Sequence, residues 1–161
     1  MRLPVSPESL LHALYETLPD PVMIINADRK IIASNAAASE VFGYSAEEFL
    51  GMGPRDFYAS ADDARQVGEA FFPLDKESQP LHRQYDFLRR DGSIIPVELT
   101  ANKIRDADGK PVALVAILRD LSETVAAQEE RRRAESILNT ALASISEGFV
   151  IYDEHDRLEL C

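Results

Sequence analysis

The sequence has one cysteine, Cys161, and no apolar run near the ~20 residues that cross a membrane. A single cysteine excludes an internal disulfide and is typical of proteins in a reducing compartment. The first residues, 1–5, lack the apolar core of a secretory signal. We therefore expect a cytoplasmic location and no membrane contact by this segment.

Basic residues are also scarce, because 17 lysines and arginines stand against 28 aspartates and glutamates, for a net charge of −11. General nucleic-acid binders and proteins that bind anionic membranes need basic surface. No nucleic-acid partner is expected. The composition, 45% hydrophobic and 28% charged over 161 residues, is that of one folded domain with an appendage.

Patterns that would indicate catalysis or metal binding are missing as well. The three histidines, His12, His82 and His155, have no metal-ligand spacing to one another or to the cysteine. No nucleophile–base pair or glycine-rich phosphate loop stands out, and the acidic pair at 62–63 is explained by helix capping. We predict no metal site and no enzymatic activity in this segment.

What is present is a run of three β-strands between residues 81 and 122. Asp91-Gly92 and the segment 106–110, which contains Asp108-Gly109, predict the two tight turns of an antiparallel meander. The last run, 112–118, is apolar on both faces, so both of its faces need a cover. One cover is the domain's own core, and the other must be a helix or a partner chain.

The preceding residues predict a helix, two short strands and several short helices. Ser6-Pro7-Glu8 is a helix start, Leu10, Leu11, Leu14 and Leu18 fall on one helical stripe, and Pro19 ends the helix. Runs 21–25 and 31–33 predict strands, and capping residues precede helices near 36, 46 and 61. This order predicts an α+β fold with one antiparallel sheet.

Several segments in this order resemble a PAS domain, roughly from Leu10 to Ser122. They are the following: Pro19-Asp20-Pro21-Val22, Ser34-Asn35-Ala36-Ala37, Phe42-Gly43-Tyr44-Ser45-Ala46-Glu47-Glu48, Tyr85 to Ser93, and Arg119-Asp120-Leu121-Ser122-Glu123. The resemblance implies a five-stranded sheet in 2-1-5-4-3 order, with short helices on one face. It also implies a role in sensing and dimeric signal relay. The output domain, such as a histidine kinase or a cyclic-di-nucleotide enzyme, would lie in the same polypeptide beyond residue 161.

A homodimer is expected to form through the first helix and the outer face of the last strand. The residues predicted for this interface are Leu10, Leu11, Leu14, Leu18, Val115 and Ile117. The alternative is a passive dimerisation scaffold that binds no ligand. The alternative interpretation of the leucine stripe is an amphipathic helix that is exposed to solvent.

A small apolar pocket between the sheet and the short helices is also predicted. Its candidate lining residues are Ile24, Val41, Phe42, Tyr44, Phe57, Phe71, Tyr85, Phe87, Val97, Leu99 and Asn102. Asn102, Thr100 or Tyr44 would be the polar anchors, and the alternative is that these residues simply fill a core. Haem and flavin are not expected, because PAS proteins usually place the haem histidine on the helix 61–72 and the flavin-reactive cysteine in the central helices. Neither residue type occurs there.

The end of the domain predicts direct coupling to a following helix. Asp120 is a candidate N-cap and Glu123 could reach back to it, so Asp120, Ser122 and Glu123 are the predicted relay residues. The spacing of apolar and small residues from Thr124 to Ile145 is a weak heptad pattern. The other reading is a solvated connector helix.

The last residues repeat the first at a constant offset of 127, so that Ile145 to Asp153 aligns with Leu18 to Asn26. This predicts the truncated start of a second PAS domain, with residues after about 145 poorly ordered or paired with a neighbouring chain. The expected domains are a helix at 1–18, the PAS domain at 19–120, a connector helix at 121–143 and the second-domain start at 144–161.

Overall fold

A computed structural model describes residues 6–72, 74–75, 79–148, 151–152 and 158–159. Its elements in chain order are α1 (Pro7–Thr17), β1 (Val22–Asn26), β2 (Ile31–Ser34), α2 (Ala36–Phe42), α3 (Ala46–Phe49), a 3-10 helix (Pro54–Phe57), α4 (Ala61–Phe71), β3 (Leu81–Leu88), β4 (Ile94–Arg105), β5 (Pro111–Asp120), α5 (Ser122–Gly148), β6 (Ile151–Tyr152) and β7 (Leu158–Glu159).

The main sheet has five antiparallel strands in the order β2-β1-β5-β4-β3, as predicted. β5 lies in the centre, where Val115 pairs with Ile24 of β1 and Leu118 pairs with Leu99 of β4. β5 is thus the middle strand, with two strands on either side of it.

The turns between strands are fixed by local hydrogen bonds. In the β4–β5 turn, the Asp106 carboxylate accepts from the amides of Asp108 (3.0 Å) and Lys110 (2.9 Å), and Gly109 has φ +80°. In the β1–β2 turn, the Asn26 side chain accepts from the amides at the equivalent positions, Asp28 and Lys30, at the same distances. The two turns therefore have the same hydrogen-bond pattern.

The short helices begin where the sequence places capping residues. The Ser45 hydroxyl accepts from the Glu48 amide (3.2 Å), and the Glu48 carboxylate accepts from the Ser45 amide (2.8 Å), which is the capping box predicted for α3. The Ser60 hydroxyl accepts from the Asp63 amide at the start of α4. Gly43 ends α2 with φ +79°, the left-handed conformation that favours glycine.

The core lies between the helices and one face of the sheet. Strand alternation places Ile95, Val97, Leu99 and Ala101 of β4 on this inner face, and all four are buried. Leu114, Ala116 and Leu118 of β5 join them. Phe42, Phe49 and Phe57 from the helical layer are essentially inaccessible to solvent.

Residues 1–122 form one compact unit and residues 123–161 another. Helix α5 continues to Gly148, beyond the predicted end at 143. The physical reason is visible in the repeat itself: Pro19 and Pro21, which bound the end of α1, correspond to Ser146 and Gly148, and serine does not block a helix. The expected disorder of the last residues falls mostly outside the described residues. Across the described ranges, no helix is both long enough and apolar enough to span a membrane.

Candidate functional site

An apolar cavity of about 60 Å³ lies between the inner face of the sheet and α4. The strands β1, β4 and β5 supply one wall, and the 3-10 helix and α4 supply the other. The lining residues are Met23, Ile25, Pro54, Phe57, Tyr58, Val67, Phe71, Phe72, Phe87, Leu99, Ala101, Leu114, Ala116 and Leu118. Two small residues, Ala101 and Ala116, sit opposite one another in the β4–β5 ladder and leave the space open.

Four predicted pocket residues line this cavity: Phe57, Phe71, Phe87 and Leu99. The sequence reasoning missed the residues of β1 and β5. Met23 and Ile25 of β1 are buried and point inward, and the inner residues of β5 follow from the register with β4. The sequence already indicated that Val115 and Ile117 of β5 face outward, but the inward-facing residues of this strand were not predicted to line a pocket.

Two predicted pocket residues are wrong: Ile24 and Asn102 lie on the outer face of the sheet. Ile24 is half-buried between the inward-facing Met23 and Ile25, and Asn102 is exposed beside the inward-facing Ala101. Thr100, a further candidate anchor, lies on the same outer face, where its hydroxyl is 3.0 Å from His82 Nδ1. The reason is strand geometry, because neighbouring residues on a strand face opposite ways.

The remaining predicted pocket residues belong to the packed core beside the cavity. Phe42 and Val97 are fully buried, and Val41, Tyr44 and Tyr85 are partly buried against the same cluster. The ring centroids of Phe42 and Phe57 are 5.7 Å apart, and those of Tyr44 and Phe57 are 5.6 Å apart. These are edge-to-face contacts, which fill space tightly and leave no room for a ligand.

Tyr58 carries the one polar group among the described residues that line the cavity. Its ring lies 4.5 Å from that of Phe87 and 5.6 Å from that of Tyr85. Burial, with smaller contributions from Tyr85 and Asp63, raises the pKa of the Tyr58 hydroxyl well above its usual value. The hydroxyl therefore stays protonated at physiological pH and can act as a hydrogen-bond donor.

A second feature, an open polar cleft of about 680 Å³, lies on the other side of the cavity wall. Pro54, Tyr58, Val67 and Phe72 line both the cavity and the cleft. The cleft is bordered by the β1–β2 turn, the 3-10 helix and α4. The cavity and the cleft thus share these four side chains as a common wall.

The end of β5 is held by a clamp centred on Asp120. Its Oδ1 accepts from the amide (2.8 Å) and hydroxyl (2.5 Å) of Ser122, the first residue of α5, and its Oδ2 accepts from Arg89 Nη2 (2.8 Å). The Leu121 amide donates to Pro96 O at 2.9 Å. The strand is therefore hydrogen-bonded up to the residue before the helix.

The clamp differs from the predicted one in two ways. Within the described residues, the Glu123 carboxylate makes no hydrogen bond back to Asp120, and Asp120 lies opposite Val97 in the sheet. Arg89 was not predicted to take part, since its partner is 31 residues away along the chain. An arginine at the end of a strand gives no sequence signal for such a distant ion pair.

Arg90, the next residue, is bound to the helical layer instead. Its guanidinium donates to Glu48 (2.9 and 2.8 Å) and lies 5.7 Å from the centre of the Tyr44 ring, and its amide donates to Phe42 O (2.9 Å). The β3–β4 turn is therefore attached both to the start of α3 and to the end of β5.

The predicted interface residues are exposed in the single chain. Leu10, Leu11, Leu14 and Leu18 are 40%, 66%, 55% and 44% exposed, Ile117 is 38% exposed and Val115 is half-buried. The cover that the second apolar face of β5 was expected to need is therefore not supplied by the leucines of α1 within one chain. α1 is instead attached to the start of α2: Asn35 Nδ2 donates to Tyr15 O (3.2 Å), and the Ala36 amide donates to the Glu16 carboxylate (2.9 Å).

Comparison with known proteins identifies the family to which this fold belongs. The family model described as PAS fold matches residues 9–121. A nitrogen fixation regulatory protein of Klebsiella oxytoca is 25% identical over 92% of this chain and 30% of its own length. The chain thus spans less than a third of that relative.

Two solved structures share the fold. A PAS domain from Colwellia psychrerythraea is 18% identical, with a TM-score of 0.65 over 73% of this chain and 99% of its own. The PAS domain of an HTR-like protein from Haloarcula marismortui is 27% identical, with a TM-score of 0.59 over 70% of this chain and 90% of its own. The family match covers more than half of the chain, and the chain therefore belongs to the PAS family, whose fold is sensory and not catalytic.

Proposed function

We propose that this chain is a dimeric sensor and relay module that binds a small apolar ligand in the cavity and passes the signal through Asp120 into α5. The observation that carries the proposal is that one strand serves both sites. Leu114, Ala116 and Leu118 of β5 line the cavity, and Asp120 of the same strand holds the first residue of α5. A ligand that shifts the end of β5 would thus displace the helix start.

The cavity volume sets the ligand class. An engineered cavity of about 150 Å³ binds benzene or xenon, and this cavity has about 60 Å³. A ligand of only a few non-hydrogen atoms fits without rearrangement, and Tyr58 offers it one hydrogen-bond donor. Pockets for drug-sized ligands have about 300 Å³ or more, so a haem or flavin ring would require the core to be rebuilt.

Xenon is a suitable probe, because it is small, apolar and indifferent to the natural ligand. We expect xenon to shift the NMR signals of the Leu114 and Leu118 methyl groups, and Ala116→Val, which fills the cavity, to abolish the shift. Ala38→Val is the control, because Ala38 is buried away from the cavity lining. Absence of any shift in the unmodified chain would contradict a ligand cavity.

The relay is tested in the same samples. Occupancy should change hydrogen exchange in the first turn of α5, and Asp120→Asn should reduce that change, since an amide retains an acceptor for Ser122 but loses the charge that pairs with Arg89. A ligand that binds without any effect on α5 exchange would favour the alternative function, a passive dimerisation scaffold.

Dimerisation through α1 and the outer face is supported by their exposed apolar residues. On the outer face, Ile117 pairs with Val22 of β1 and with Thr100 of β4, and Glu98 pairs with Arg119 beside them. The apolar residues thus have a polar border, as in the centre and rim of protein interfaces. A second copy of the chain could bury the leucines of α1 and this face together.

Point variants test the dimer better than removal of residues 1–18, because removal also takes away the partners of Asn35 and Ala36. We expect Leu11→Glu and Leu14→Glu to give monomers in analytical ultracentrifugation, with folding unchanged because both side chains are exposed. Leu50→Glu is the matched control, since Leu50 is 57% exposed on a different part of the surface. A dimer that survives both α1 variants would refute this interface.

A further proposal concerns the unit at 123–161, namely that it begins a second PAS domain ahead of an output domain. β6 and β7 support this, because Ile151 pairs with Glu159 and Tyr152 with Leu158. Subtracting the offset of 127 gives positions 24, 32, 25 and 31, the region in which β1 pairs with β2. Sequence beyond residue 161 tests it, and a continuation without further PAS elements would refute it.

A further inference from the structure

Arg29 is the one residue other than glycine that has a positive φ within the described ranges, at +59°. The β1–β2 turn that contains it has the same build as the β4–β5 turn, and the position equivalent to Arg29 is Gly109 there. A glycine adopts this conformation freely, whereas a residue with a Cβ is strained. The presence of arginine at this strained position therefore indicates a functional role for its side chain.

The Arg29 side chain lies on the wall of the cavity. Its guanidinium carbon is 5.0 Å from the centre of the Phe72 ring, a cation–π geometry. Phe72 is 8% exposed and lines both the apolar cavity and the outer cleft. Arg29 is thus positioned over a side chain that borders both the cavity and the cleft.

Gly68 of α4 makes room for this contact. A Cβ at Gly68 would stand 3.3 Å from Arg29 Nη1, closer than most such contacts. Glycine inside a helix is unfavourable relative to alanine. Two positions therefore go against local preference, an arginine where glycine is preferred and a glycine where alanine is preferred, and the two residues are neighbours in space.

We propose that Phe72 is the entrance of the cavity and that Arg29 holds it closed. Outward rotation of the Phe72 ring would join the cavity to the cleft, and the cation–π contact with Arg29 opposes that rotation. Arg29 is a positioning residue, because it acts on the ligand only through Phe72. The proposal rests on the proposed function, since an entrance matters only if the cavity receives a ligand.

Access to the cavity can be measured without knowing the ligand. In a Cys161→Ser background, Ala101→Cys places a thiol on the cavity wall, and Ala38→Cys places one in the buried core away from it. The rate of reaction with methyl methanethiosulfonate then reports opening of the cavity in the first variant and global unfolding in the second.

Arg29→Gly is expected to speed labelling at the Ala101→Cys site by about two- to five-fold, the factor that corresponds to loss of an exposed cation–π contact. Gly68→Ala should speed it by less, because Arg29 would have to move only slightly to accept the new Cβ. Labelling at the Ala38→Cys site should stay unchanged or slow, because both substitutions restore the locally preferred residue type. The urea midpoint should stay the same or rise for the same reason. Increased access without reduced stability is a result that a merely structural role of Arg29 would not produce.

Lys30→Met is the matched control, because it removes one positive charge from the same turn and leaves the Arg29–Phe72 contact in place. Acceleration by Lys30→Met equal to that by Arg29→Gly would overturn the proposal. So would an unchanged rate at the Ala101→Cys site, or equal acceleration at both thiol sites. Failure of xenon to bind would contradict the ligand function and leave this measurement of access intact.

Discussion

The core has two halves that differ in how they are filled. Under α2 and α3, the rings of Phe42, Tyr44, Phe49 and Phe57 lie 5.6–5.7 Å apart in a continuous cluster. Under α4, alanines on β4 and β5 leave a cavity of about 60 Å³. The same sheet supports both halves, so the difference comes from side-chain volume and not from the backbone.

This comparison shows how a sensory domain keeps its stability while leaving space unfilled. An unfilled apolar space costs free energy because the lining atoms lose contacts. The aromatic cluster supplies the stabilising contacts, and the alanine-lined half provides the space. Substitutions in the two halves test that division of roles.

Replacement of Phe42 by alanine should lower the free energy of unfolding by about 3–5 kcal/mol, because Phe42 is fully buried among other rings. Phe71→Ala, in the cavity half, should cost about 3 kcal/mol, at the lower end of that range, since α4 borders the open cleft and can relax. Urea denaturation of both variants measures the difference. Equal costs, or a larger cost at Phe71, would break the comparison.

Enlargement of alanine should have opposite signs in the two halves. Ala38→Val should destabilise by about 1–3 kcal/mol through overpacking, of which about 0.5 kcal/mol is helix propensity. Ala116→Val should be neutral or stabilising by up to ~1 kcal/mol, because its methyl groups enter the cavity on a strand, where valine is favoured. Thermal unfolding gives the sign of each, and destabilisation by both would show that the cavity is not usable space.

The clamp at the end of β5 is expected to contribute less. Asp120→Ala should weaken the start of α5 by about 1 kcal/mol, because the amide and hydroxyl of Ser122 lose their acceptor. Asp120→Asn retains an acceptor and should cost less. Hydrogen exchange in the first turn of α5 measures both variants, and unchanged exchange in Asp120→Ala would show that the cap is unimportant.

The smallest effect is expected at the β1–β2 turn. Arg29→Gly relieves left-handed strain worth about 1–2 kcal/mol and loses a cation–π contact worth about 0.5–1 kcal/mol. The net change should be a stabilisation of about 0–1.5 kcal/mol, visible as a small rise in Tm. A clear destabilisation would show that Arg29 contributes to packing and does not merely cover Phe72.

Local sequence patterns were sufficient to predict the sheet but not the residues of the candidate site. The two glycine turns and the alternation in β4 identified the meander, and the family resemblance supplied the strand order. β1 is apolar at its first four positions, Val22, Met23, Ile24 and Ile25, so its inward side could not be predicted and Ile24 was assigned wrongly. The outward position of Asn102 could have been predicted, because Leu99 and Ala101 of the same strand already defined the inner face.

Other features depended on information that the sequence does not carry locally. The Arg89–Asp120 pair joins residues 31 apart, and only the sheet register brings them together. The exposure of the α1 leucines depends on where α1 is attached, through Asn35 and Glu16, and amphipathic spacing does not determine that. Long-range polar contacts of this kind have no periodic signature.

The β3–β4 turn has a consequence for how the family can vary in length. Surface turns ordinarily accept inserted residues, but here adjacent arginines reach in opposite directions, Arg90 to Glu48 and Arg89 to Asp120. One residue added between them would separate the two ion pairs or turn one side chain the wrong way. Insertions in homologous chains should therefore be rare at this loop and should occur together with loss of one acidic partner.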